Sequence, residues 1–95
     1  MFSFAIQTYF MVIIGYKEVN YNRLITEVKK AFDISSKSAF IIADELQLKS
    51  VSTVFNCMKP VQKVSDEKLT TFMKHINLDA CIVITGGTKK YFIKA

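Results

Sequence analysis

The chain has 95 residues, of which 51% are hydrophobic and 13% aromatic, enough for one domain with a core and too few for two. Three glycines, one proline and 22% charged residues argue against a disordered or low-complexity segment. The formal net charge of +5 is compatible with a polyanionic partner but does not require one.

Residues 1–14, MFSFAIQTYFMVII, are apolar and carry no charged side chain. They are fewer than the ~20 residues that a membrane-spanning helix needs and lack the basic start of a secretion signal, so we expect neither. Their aromatic and β-branched content predicts a strand over residues 1–14 that ends at Gly15. Alternatively, Met11 is the natural start and residues 1–10 do not belong to the protein.

Residues 21–79 show four successive apolar stripes at helical spacing, joined by short polar segments. A helix N-cap is typically Ser, Thr, Asp or Asn, because its side chain accepts a hydrogen bond from the first turn. Such residues precede three of the stripes: Asn20 or Asn22 the first, Ser35 or Ser36 the second, and Ser65 the fourth. We therefore expect a core of four helices.

The third stripe predicts a helix over about residues 50–59. Pro60 ends it, because proline lacks the N–H that a continuing helix needs. The connection to the second helix, QLK at residues 47–49, is short enough to make the two helices cross steeply. The apolar positions that we expect to face the core are Val51, Val54, Phe55 and Met58.

Residues 80–95 predict a β-hairpin, because Gly86 and Gly87 stand between two β-rich runs and both accept a positive φ. A two-residue turn places Thr85 opposite Thr88 and Ile82 opposite Tyr91. A hairpin alone is marginal in water, so we expect it to pair with the N-terminal strand. The last strand also carries lysines that we interpret as protection of an exposed edge, with DNA contact as the alternative: Lys89, Lys90 and Lys94.

These elements predict the fold class α+β in a single domain over residues 1–95. It consists of a strand at 1–14, a four-helix core at 21–79 and a hairpin at 80–95 that pairs with the N-terminal strand.

No spacing of reactive side chains points to catalysis or to a metal. Cys57 and Cys81 are 24 positions apart with the single His75 between them, and the chain contains no CxxC, HExxH or GxSxG motif. We interpret the cysteines as small buried thiols in the reducing cytoplasm. We expect no enzyme activity, cofactor or small-molecule substrate.

The second and third helices and their joint resemble a known class of domain. The run Ala43, Leu46, Leu48 and Val54, followed by VSDEKLTTFMKHINLD at 64–79, resembles the helix-turn-helix core of lambda-repressor-like, Cro-type DNA-binding domains. The resemblance covers about residues 21–79. Two features depart from the family pattern: Gln47 stands where a turn glycine is usual, and the spacing from Ala43 to Val54 is one residue longer. The resemblance implies that the third helix reads bases in the major groove.

Carried over by position, the resemblance places nine side chains against double-stranded DNA. Hydroxyls bond base edges or phosphate, an asparagine pairs with adenine, and lysines neutralise phosphates, with no acidic residue from Leu46 to Ser65. Four phosphate contacts per subunit give a log–log salt slope of about −3 to −4. The residues are Lys37, Ser38, Lys49, Ser50, Ser52, Thr53, Asn56, Lys59 and Lys63.

The sequence therefore predicts a small cytoplasmic transcriptional repressor or regulator that binds specific DNA sequences. We expect a homodimer, because such domains read half-sites about 34 Å apart. The alternative is a small protein-interaction or oligomerisation module that acts through its apolar β elements without binding DNA.

Overall fold

The computed structural model of the protein describes residues 10–95. Residues 10–13 are helical. The elements that follow are β1 (Tyr16–Val19), α1 (Tyr21–Ser35), α2 (Ala39–Glu45), α3 (Ser52–Asn56), α4 (Asp66–His75), β2 (Ala80–Thr85) and β3 (Thr88–Lys94). The predicted α+β class is confirmed. No helix in this described part of the chain has the length and apolar character needed to cross a membrane.

The strands form one antiparallel sheet in the order β1-β3-β2. In the β2–β3 hairpin Thr85 pairs with Thr88 and Ile82 with Tyr91, as the glycine turn predicted. Strand β1 pairs with the other side of β3, so β3 is the central strand. The interpretation of Lys89, Lys90 and Lys94 as edge protection is therefore wrong, since β3 has a neighbour on each side.

The strand that completes the sheet lies later in the chain than predicted. Within the predicted strand at 1–14, residues 10–13 are helical, with the Ile14 N–H donating to the Phe10 carbonyl at 3.1 Å; residues 1–9 lie outside the described residues. Gly15 has a φ of 96° and leads the chain into β1, rather than ending a strand. The error has a physical reason, because a short apolar run does not distinguish helix from strand by its periodicity.

The helix caps follow local sequence rules. Asn20 caps α1 and Ser65 caps α4, both among the predictions, and each side-chain oxygen accepts a hydrogen bond from the backbone N–H three residues later. Ser38 caps α2 in the same way, where we predicted Ser35 or Ser36. Ser36 instead has a φ of 58° and ends α1, so the next helix begins only after it.

A hydrophobic core lies between the helices and one face of the sheet. Helices α1 and α4 pack against the strands, whereas α2 and α3 pack against each other. This arrangement leaves the α2–α3 pair on the part of the core away from the sheet. The buried side chains of this core are Leu24, Ile25, Val28, Ala39, Ile42, Ala43, Val54, Cys57, Leu69, Phe72, Met73, Ile76, Ala80 and Ile93, and Phe92 is buried outside this cluster.

Candidate nucleic-acid interface

Helix α2 ends in a turn that sets the direction of the chain toward α3. The Leu48 N–H donates to the Ala43 carbonyl at 2.9 Å and the Gln47 N–H to the Asp44 carbonyl at 3.1 Å, the bond pair of a Schellman motif. Gln47 has a φ of 57°, in the left-handed region that favours glycine. The residue that departs from the family pattern thus adopts the conformation that a turn glycine would take.

Helix α3 covers only Ser52–Asn56, half of the predicted 50–59. Beyond it the chain tightens: the Cys57 N–H is shared between two carbonyls, and the Met58 N–H donates to Phe55 three residues back. Val54 and Cys57 are almost completely buried and attach the helix to the core. The outward surface of this short helix is therefore formed by its two exposed residues, Ser52 and Phe55.

Ser50 and Ser52 lie on that outward surface and are both exposed. Their hydroxyl oxygens are 2.8 Å apart, and the Ser52 N–H donates to the Ser50 hydroxyl at 3.2 Å in the turn before α3. A hydroxyl has one donor and two acceptor sites, so both serines retain hydrogen-bonding capacity for a ligand. The structure therefore places these two predicted residues where a duplex could contact them.

Thr53 and Asn56 are half-buried rather than exposed. Thr53 is four residues before the buried Cys57 and so lies on the inner flank of the helix. There it lines a cavity of about 100 Å³ together with Glu67 and Lys68 of α4. Thr53 therefore faces α4 rather than the outward surface of α3.

Phe55 is 48% exposed, although the sequence placed it in the core stripe. That prediction is wrong because Val54 and Cys57, three positions apart, take the core positions and turn Phe55 outward. Within α3, Phe55 lies on the same side as Ser52, three residues before it. The three-residue spacing of Val54 and Cys57 is the signal that could have identified it. An exposed aromatic ring can contact the methyl group of thymine.

Lys49, Lys59 and Lys63 are exposed, and none of them forms a salt bridge with another described residue. Lys49 precedes α3, and the other two lie in the segment that follows it. No acidic residue occurs between positions 46 and 65, so no neighbour within this segment neutralises the charge of these three lysines. We name these three residues the free lysine group.

Lys37 and Ser38, the remaining predicted contacts, already have partners inside the protein. Lys37 donates to both carboxylate oxygens of Glu45, at 2.9 and 3.2 Å, and His75 Nε2 lies 2.9 Å from the same carboxylate. The bond from Lys37, followed by that from His75, lowers the pKa of Glu45. Ser38 is exposed, but its hydroxyl caps α2. The structure therefore gives both residues a role in holding α2.

The described residues contain no group of three or more His, Cys, Asp or Glu side chains that could hold a metal ion. Burial raises the pKa of the Cys57 thiol to about 11, so it stays protonated at neutral pH.

Comparison with known proteins finds no matching family model, no similar curated protein and no similar solved structure.

Proposed function

We propose that the protein binds double-stranded DNA in a sequence-specific manner and acts in the cytoplasm as a small transcriptional repressor or regulator. The observation that carries this proposal is the α2–α3 corner, in which Gln47 takes the left-handed conformation and α3 leaves Ser52 and Phe55 exposed at the surface. The free lysine group flanks that surface on both sides. Polar side chains between unneutralised cations are suited to a phosphate-lined groove.

The chemistry of α3 fits the major groove. Hydroxyls of Ser50 and Ser52 can bond base edges or phosphates, and the amide of Asn56 matches adenine. Phe55 adds an apolar surface for thymine. A five-residue helix is only about 7.5 Å long, so one subunit makes few base contacts. This favours a homodimer that reads two half-sites.

The first test is selection of duplexes from a random double-stranded pool, followed by fluorescence anisotropy with a selected duplex. If each residue of the free lysine group neutralises one phosphate, the binding constant falls with salt at a log–log slope of about −3 per subunit. Enrichment of no sequence, or binding that does not change with salt, would contradict the proposal.

A matched pair of asparagine variants tests whether α3 reads bases. Asn56→Ala should weaken binding to the selected duplex by about 1–3 kcal/mol, the range for a bidentate base contact. Asn22→Ala changes an exposed asparagine on α1 and should leave binding unchanged. Equal effects of the two substitutions would argue against base reading by Asn56.

The second candidate function is a protein-interaction module without DNA binding. It is favoured by exposed apolar side chains, among them Ile84 on β2, which is 58% exposed. Under this alternative, changes on α3 leave partner binding intact, and no duplex is selected from the pool.

A further inference from the structure

Strand β2 is an edge strand of unusual composition. Among the described residues its one neighbour is β3. Its sequence ACIVIT contains no charged residue and no proline, two of the features by which proteins protect an edge. The opposite edge strand, β1, carries Lys17 and Glu18. The two edges therefore differ in their capacity to pair with another strand.

The ladder shows which backbone groups of β2 point away from β3. In an antiparallel pair with a two-residue turn, Thr85 and Thr88 form a hydrogen-bonded pair, and every second residue repeats that pattern. The Lys94 N–H donates to the Asp79 carbonyl, in agreement with this alternation. The N–H and C=O groups of Ile82 and Ile84 consequently point outward, and none has a hydrogen-bond partner among the described residues.

We propose that β2 pairs antiparallel with β2 of a second copy of this chain, across a two-fold axis at Val83, to form a continuous six-stranded sheet. This edge would be the dimer interface of the homodimer under the proposed function. The dimer could form whether or not the protein binds DNA.

The free backbone groups select the register. An axis at Val83 pairs Ile82 with Ile84 of the second copy and, by symmetry, Ile84 with Ile82, which gives four hydrogen bonds from groups that are free. An axis at Ile82 instead requires the Ala80 N–H, which already donates to the Leu78 carbonyl at 3.1 Å. Val83 then lies opposite Val83 of the second copy. The two form a non-hydrogen-bonded pair, in which side chains approach most closely.

A second copy is the partner that fits this edge. A two-fold contact places β2 against β2 of the second copy. A charged residue on the axis would therefore lie opposite the same charged residue. Strand β2 has none, whereas the charged side chains of β1 stand in mid-strand. Pairing also covers Ile84 with an isoleucine of the second copy. The uncharged side chains of β2 can therefore pack against those of a second β2.

Analytical ultracentrifugation over a concentration series tests the proposal, with Ile84→Pro as the variant. The Ile84 N–H points away from β3, so proline removes no bond of the existing ladder while blocking the new one. We expect wild type to reach twice the chain mass of 10.8 kDa and Ile84→Pro to remain at 10.8 kDa at the same concentrations. Glu18→Pro, at an outward position of β1, is the matched control and should remain dimeric. Circular dichroism confirms the fold of each variant.

A cross-link tests the register and does not depend on whether the proline variant folds. In a Cys81→Ser background, Val83→Cys should oxidise to a disulfide-linked dimer, because the two facing β-carbons lie within disulfide range. Glu18→Cys in the same background should not cross-link. A monomeric wild type, a dimeric folded Ile84→Pro, or Val83→Cys that does not cross-link at concentrations where wild type is dimeric would each overturn the inference. A monomer that still binds the selected duplex would reject this interface and leave the proposed function standing.

Discussion

Two groups of three lysines in this protein have opposite surroundings. Those of β3 all have partners: Lys89 lies 2.7 Å from the Asp66 carboxylate, Lys90 3.2 Å from Glu18, and Lys94 donates to the Ile14 carbonyl at 3.0 Å. The free lysine group around α3 forms no salt bridge with described residues. The same residue type therefore joins elements of the fold in one region and remains available in the other.

The difference shows that the free lysine group places unpaired positive charge around α3. Lys89 and Lys90 meet carboxylates of α4 and β1, which neutralise their charge within the protein, and Lys94 is hydrogen-bonded to the uncharged carbonyl of Ile14. Around α3 the three lysines form no salt bridge with another described residue, so ions from solution are their available partners in the free protein. Phosphates that replace those counterions would release the ions bound to DNA, which favours binding at low salt.

The largest expected effect comes from replacing the free lysine group by glutamine. Lys49→Gln, Lys59→Gln and Lys63→Gln together should weaken binding to the selected duplex roughly 10²-fold or more at low salt and reduce the salt slope by about 3. Anisotropy at several salt concentrations measures both quantities. The matched variant, Lys89→Gln, Lys90→Gln and Lys94→Gln, should retain the slope and lose some stability. Equal losses of slope in the two triples would remove the distinction between the groups.

Substitutions at two adjacent residues of α3 should differ in their effect on the free energy of unfolding. Val54 is completely buried, so Val54→Ala should lower the free energy of unfolding by about 1–3 kcal/mol through lost burial and a small cavity. Phe55→Ala should change it by less than about 0.5 kcal/mol, because the ring is half exposed. Urea denaturation measures both, and a larger loss for Phe55→Ala would show that its ring has a structural role.

Phe55 also has an expected role in base recognition. Replacing a contacted thymine of the selected duplex by uracil removes only the methyl group, and we expect a loss of about 1 kcal/mol for wild type. Phe55→Ala should bind the thymine and uracil duplexes equally. Scanning each thymine in turn by competition anisotropy makes the comparison, and a wild type indifferent to every replacement would exclude this contact.

The α2–α3 turn predicts a stabilising substitution. Because Gln47 has a positive φ, Gln47→Gly should raise the free energy of unfolding by roughly 0.5–1 kcal/mol. Gln47→Val should lower it, since β-branched residues are disfavoured in that conformation. If glycine destabilises the protein in urea denaturation, the turn does not have the left-handed geometry described above.

The smallest effect concerns the pH dependence of the link between α4 and β3. A hydrogen bond from Gln62, followed by one from Lys89, lowers the pKa of Asp66, so its stabilisation is present above about pH 4 and is lost as pH falls through the lower folded value. Asp66→Asn should cost roughly 0.2–1 kcal/mol at pH 7 and less at pH 3. Urea denaturation at both pH values, with the exposed Asp44→Asn as control, measures it. A loss that is equal at both pH values would assign the effect to something other than the ionised carboxylate.

The local features of this protein could be predicted from the order of its residues. Asn20 and Ser65 as caps, the turn at Gly86 and Gly87 and the register of the hairpin follow from residues within a few positions of one another, where backbone geometry leaves few alternatives. The core stripes of α1, α2 and α4 follow for the same reason, since helical spacing alone defines a face.

Three features could not be predicted in this way and became known from the packed fold: which lysines lack a salt bridge, which strand completes the sheet and which side of α3 faces outward. Each depends on residues far apart in the chain: Asp66 reaches Lys89, and Gly15 accepts a hydrogen bond from Ala95 at 2.7 Å. Phe55 faces solvent because Val54 and Cys57 occupy the core positions of this segment. Burial and ion pairing are properties of the packed elements, because a side chain's neighbours exist only once distant segments have come together.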